Sequence, residues 1–129
     1  MENSIEVGSI LIIDDEKVVL DVTTLMVKKL GYNVLQAKSG KEAAQVFRDS
    51  VEAICMVILD MKLPDESGSD ICKKFKDIKP SVRILHTSGI GKGLGNEVLE
   101  CGCNSCLLKP FHFEELSNKL KELLENKGQ

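Results

Sequence analysis

The stretch SILIIDDEK, residues 9–17, sets four consecutive apolar residues, Ile10 to Ile13, directly against two adjacent carboxylates, Asp14 and Asp15. A run this short and rich in isoleucine reads as a strand buried on both faces. Two like charges at the end of a buried strand repel each other, so the pair requires a partner. Working outward, CMVILD (residues 55–60) ends at Asp60 and VRILHTS (82–88) ends at Thr87 and Ser88. NSCLL (104–108) leads into Lys109 and Pro110, and NVLQA (33–37) supplies one more short strand.

Helical patterns fill the gaps. Residues 16–30 carry Val18, Val22 and Leu25, and also Val19 and Met26, at helical spacing, with Gly31 suited to the C-terminal cap. Ser39 with Glu42 makes a capping-box pattern, and Ser67 with Asp70 marks a third helix that runs to about Ile78 before Pro80. A short helix is expected near Asn96 to Glu100. The last helix places Phe113, Leu116, Leu120 and Leu123 on one face. Five alternating strand–helix units with doubly apolar strands predict an α/β fold: a doubly wound parallel sheet covered on both faces. The 129 residues form one domain, with an ordered core over about 8–125 and a frayed tail, ENKGQ.

Composition narrows the function. A net charge of -3 and 4% aromatic residues argue against a nucleic-acid module, which needs a basic face or stacking rings. The acidic start, MENSIEVG, is no signal peptide, and no apolar run is long enough to span a bilayer, so a cytoplasmic chain with no membrane contact is expected. Five cysteines in that setting read as reduced, mostly buried thiols; the CGCNSC cluster (101–106) lacks the second half of a metal or redox motif.

In an open parallel sheet the binding crevice lies at the carboxyl ends of the strands. Asp14, Asp15, Asp60, Thr87, Ser88 and Lys109 all fall there. Close carboxylates repel by roughly 4 kcal/mol per pair at an effective dielectric of 20. A nearby lysine offsets part of this. A hard divalent cation such as Mg2+ does so better and leaves coordination positions open to phosphoryl oxygens. Lys109 offers a compact charge for the same group, with Ser88 or Thr87 as hydrogen-bond donors. The inventory suits phosphoryl transfer onto a carboxylate. Asp60, alone at the end of the most apolar strand, is the acceptor, while Asp14 and Asp15 hold metal. Alternatives fit less well. GIGKGLG (89–95) matches no nucleotide-loop pattern, an FMN phosphate would meet the acidic pair, and an aspartate-nucleophile phosphatase would place an acid at Lys62. His86 reads as structural and His112 as a cap or solvated residue.

ILIIDDE, MVILDMKLPDESG, ILHTSG and LLKPF, in order over nearly the whole chain, resemble the signatures of the receiver domain of two-component response regulators. The resemblance implies a flavodoxin-like three-layer (βα)5 sandwich with sheet order 2-1-3-4-5. It implies phosphorylation of Asp60 with Mg2+ by a histidine kinase or a histidine phosphotransfer domain, and a switch acting on an output protein or fused domain. It assigns Asp14, Asp15, Asp60 and the backbone carbonyl of Lys62 to the metal, Ser88 to the switch hydroxyl and Lys109 to the phosphoryl contact. The bond before Pro110 is expected to be cis, and no enzyme activity beyond turnover of its own phosphoryl group is implied. A phosphorylation-independent binding scaffold is the alternative.

GYNVLQAKSGKEA, ECGCNSCLLKPF and FEELSNKLKELL resemble receivers joined C-terminally to hybrid sensor histidine kinases, leaving open a free-standing or an excised domain. Cys106 replaces the family's aromatic switch residue, so any output change would run through the glycine-rich loop after Ser88. Lys62 and Ile90 occupy the positions that tune dephosphorylation; neither can orient an attacking water, which predicts a slow loss of phosphate.

Overall fold

A computed structural model of the chain describes residues 8–89 and 105–125. Ile90, the rest of the glycine-rich loop to 95, the helix expected near 96–100, Cys101, Cys103 and both chain ends lie outside the described residues.

Five short apolar runs become strands: β1 (Ser9–Ile13), β2 (Asn33–Ala37), β3 (Ile54–Asp60), β4 (Arg83–Gly89) and β5 (Ser105–Lys109). They form one parallel sheet in the order β2-β1-β3-β4-β5, as expected. Helices α1 (Lys17–Lys29), α2 (Gly40–Asp49), α3 (Gly68–Ile78) and α4 (Phe113–Glu125) complete the described elements. Alternation along the strands sends side chains to two cores. Leu11, Ile13, Val57, Leu59 and Ile84 pack with Ala43 and Phe47 of α2 and Ile71, Cys72 and Phe75 of α3. Ile10, Ile12, Met56, Ile58 and Leu85 pack with Leu20 and Val27 of α1 and Leu116, Leu120 and Leu123 of α4. The Phe47 and Phe75 rings stack with centroids 4.0 Å apart, fastening α2 to α3.

Local signals explain where the helices begin and end. The Ser39 hydroxyl accepts the Glu42 N–H at 3.1 Å, and Ser67 accepts the Asp70 N–H at 3.1 Å. Glu42 reaches back, but to the Lys38 N–H, one residue earlier than the usual reciprocal bond. Gly31 ends α1 at φ 100°, a left-handed conformation that favours glycine. The Lys109–Pro110 bond is cis.

Three expectations need correction. First, the strand edges move by one residue: β1 stops at Ile13, before Asp14, while β5 extends through Lys109. Second, of the two apolar rows on α1, Val18, Val22 and Leu25 face outward, at 75%, 45% and 68% exposure, whereas Met26 of the other row packs against the core. The buried stripe is Leu20, Thr23, Thr24 and Val27, which has the same helical spacing but fewer apolar members. Gln36 Nε2 donates to Thr24 Oγ1 at 2.8 Å, which lets a threonine face the sheet. Third, where mostly buried thiols were expected, of the three described ones Cys72 is buried, Cys55 half-buried and Cys106 exposed.

Candidate functional site

The parallel register brings the strand ends side by side. Asp14 follows β1 immediately, its N–H bonded to the Ala37 carbonyl at 3.1 Å. Its Oδ1 accepts the Glu16 N–H at 3.0 Å, which folds the carboxylate back over the sheet end. Asp60 is the last residue of β3, paired in register with Thr87 of β4, and its Oδ1 accepts the Lys62 N–H at 3.1 Å. Both carboxylates are nearly buried, at 4% and 6% exposure, whereas Asp15 is exposed.

Lys109, at the end of β5, reaches between the two buried acids. Its Nζ donates to Asp14 Oδ2 at 3.0 Å and lies 3.4 Å from Asp60 Oδ2. The question posed by the acidic pair therefore has a two-part answer. The turn buries Asp14 and leaves Asp15 exposed to water, and the lysine neutralises the buried member. Burial pushes the Asp60 carboxyl above the ordinary carboxylate range and the Asp14 charge adds to it, against the Lys62 N–H and the Lys109 ammonium. Burial works against the Lys109 charge, but its hydrogen bond to Asp14 and the Asp60 charge outweigh it and hold the ammonium above its usual range.

Asp14, Asp15 and Asp60 each offer a carboxylate oxygen within 4.8 Å of the others. A set of carboxylate oxygens gathered this closely suits a small hard cation such as Mg2+, which takes one or two carboxylates and keeps several waters. Ser88 is buried near the end of β4, one residue past Thr87, and does not line the adjoining groove. That groove, about 690 Å³, runs from Asp15, Asp60, Lys62 and Lys109 to Val18, Val19 and Val22 of α1 and to Pro110 and Phe111. His86 is fully buried and its Nδ1 contacts the Met61 sulfur, as a structural residue would. His112 is exposed near the start of α4, where its N–H donates to Glu115 Oε1 at 2.8 Å.

Two features escaped the sequence reading. One is the outward apolar face of α1, for which the Leu20–Val27 spacing with threonines between was the available signal. The other is Asp65, whose carboxylate accepts the N–H groups of Gly40 and Lys41, 25 and 24 positions away. No local pattern announces a contact of that separation.

An acidic pocket, a lone aspartate and a lysine at the carboxyl edge of a 2-1-3-4-5 sheet define a class. The chain belongs to the response regulator receiver domain family, whose model matches residues 10–121. Among its relatives, sporulation initiation phosphotransferase F of Bacillus subtilis is 30% identical over 120 residues, covering 92% of this chain and 95% of that protein. Histidine kinase P4 of Formosa agariphila is 34% identical over 125 residues, covering 95% of this chain but 9% of the kinase. This chain likewise spans 49% of the response regulator SaeR of Staphylococcus epidermidis. A crystal structure of a response regulator receiver domain protein from Clostridium thermocellum is 33% identical, with a TM-score of 0.85, covering 93% of this chain and 96% of that one. Phosphoacceptance and Mg2+ binding at an acidic pocket are general features of this family. Among the described residues no helix is long and apolar enough to cross a membrane.

Proposed function

We propose that this chain is a phosphoacceptor switch in a two-component relay, with Asp60 as the residue modified. An Asp60 oxygen attacks the phosphorus of a phosphohistidine in line. The P–N bond breaks, the imidazole nitrogen leaves with the bonding pair, and a mixed anhydride forms on Asp60. Lys109, released in part from Asp60, balances the charge on the transferred group. The Lys62 N–H holds the second carboxylate oxygen, and Ser88 offers its hydroxyl from β4. Asp14, Asp15, Asp60 and the Lys62 carbonyl would hold Mg2+, which supplies charge neutralisation for the phosphoryl oxygens. The position of the Lys109 ammonium, between the two buried carboxylates, carries this reading. Removing either acid would leave the lysine a partner, so the site tolerates a change of charge at Asp60.

A histidine kinase or a histidine phosphotransfer domain is the donor, and an output protein or fused domain receives the signal. The outward apolar face of α1 supports a docked protein donor: Val18 and Val22 line the same groove as Asp60. The histidine kinase relative is compatible with a receiver taken from a hybrid kinase, and the 1–129 stretch acts as one receiver domain. The test is a titration with beryllofluoride and Mg2+ followed by amide NMR. Shifts centred on residues 14, 60 and 109, absent in Asp60→Asn, are the expected result. No shift in the wild-type chain would instead identify a binding scaffold that merely keeps the fold.

A further inference from the structure

We propose that Asp65 is a positioning residue for this site, tethering the loop after Asp60 to the start of α2. The inference rests on the phosphoacceptor reading. The loop is closed at its base, where Gly68 N–H donates to the Met61 carbonyl at 3.2 Å and Lys62 bridges to Ser67. On its inner side the Lys62 N–H bonds Asp60. On its outer side the two Asp65 oxygens accept the Gly40 N–H at 2.8 Å and the Lys41 N–H at 3.0 Å. These are the first two residues of α2, whose N–H groups have no partner inside the helix and whose dipole favours an anion. The same two bonds hold the Asp65 carboxyl below the usual range.

The packing is built for this contact. A Cβ at Gly40 would come 2.7 Å from Glu66 Oε1 and 2.9 Å from Glu66 Cβ, so only glycine lets the loop approach. Glu66 in turn pairs with Lys74 of α3. Helix α2 already carries its own cap, Ser39, so a second cap from a distant loop adds less to the helix than to the loop. What it fixes is the Lys62 peptide, whose N–H orients Asp60 and whose carbonyl the reading gives to the metal. Loosening the tether leaves all three carboxylates in place yet lets that peptide drift.

The test compares wild type, Asp65→Ala and Asp65→Asn. Mg2+ affinity is read from amide NMR, adduct formation from acetyl phosphate at varied Mg2+, and backbone protection from hydrogen exchange. Asp65→Ala is expected to weaken Mg2+ binding roughly tenfold, the scale of a partner that orients a metal ligand. The loss shows in the Mg2+ concentration required rather than in the maximal rate. Protection falls at Gly40, Lys41 and across Met61–Gly68. Asp65→Asn, which keeps one acceptor oxygen, recovers part of the affinity, and it decides the matter if the alanine variant does not fold. Unchanged Mg2+ affinity in the folded variants, with protection lost only in α2, would reduce Asp65 to a helix cap and overturn the proposal. A wild-type chain that bound Mg2+ but formed no adduct would overturn the phosphoacceptor reading alone, with the affinity ratio still deciding the role of Asp65.

Discussion

Lys109 and Asp60 set opposing demands at the acceptor site. The lysine favours two charged neighbours, while burial favours a protonated Asp60. Because its folded pKa lies above the ordinary value of 3.8, the native chain binds a proton at Asp60 more readily than the unfolded chain does. Stability from this group is therefore lost, not gained, as pH rises through the window between the two values. Asp60→Asn should raise the melting temperature at neutral pH without divalent cations, and thermal scans should show the gain vanish toward pH 3. Adduct formation should fall with acid, since only the carboxylate attacks. Lys109→Ala leaves two nearly buried acids without their shared cation. It should cost on the order of 3 kcal/mol in metal-free denaturant titrations, and added Mg2+ should restore more stability to this variant than to wild type. Asp14, Asp60 and Lys109 were legible because strand ends converge. The division of labour between Asp14 and Asp15 was not, because it depends on a turn that buries one and exposes the other.

Helix α1 shows how apolar spacing can place an element without telling which of its faces is buried. Two stripes on it share the same period, and the richer one, with Val18, Val22 and Leu25, is the exposed one. What decides is the match to the sheet: Leu20 and Val27 meet Ile10, Ile12 and Met56, and Thr24 has a bond from Gln36. Leu20→Ala should cost about 3 kcal/mol as a core cavity, whereas Val18→Ser should change stability by no more than about 0.5 kcal/mol. If α1 seats the donor, Val18→Ser should nevertheless slow transfer from a phosphorylated histidine protein while leaving the reaction with acetyl phosphate unaffected. Equal effects on both donors would remove α1 from the docking surface. The other described elements were legible to within a residue or two, because serine caps, Gly31 and Pro80 mark helix ends chemically.

At the scale of the molecule, parallel pairing and right-handed crossovers leave few ways to arrange five strand–helix units, which is why a doubly wound sheet could be expected; the 2-1-3-4-5 order was implied by the resemblance to receiver domains. The same order explains why chemistry gathers at one edge: β3 and β5 each end in a charged group, Asp14 directly follows β1, and the register aligns them. Long-range fastenings such as Asp65 to α2, or Lys79 Nζ to the Val51 and Ile54 carbonyls, were invisible beforehand because they join segments about 25 residues apart. Binding of Mg2+ to the folded state alone should stabilise the whole domain, by about 2.7 kcal/mol at one hundred times the dissociation constant. Denaturant titrations with and without Mg2+ check this, and Asp14→Ala should abolish most of the gain.

The central claim is that Asp60 becomes phosphorylated. Acetyl phosphate and Mg2+, followed by borohydride trapping and peptide mass spectrometry, test it most directly. The expected result is a single modified site at Asp60, lost on chelation of Mg2+ and in Asp60→Asn. An unmodified Asp60 peptide, or label at another residue, would contradict the account.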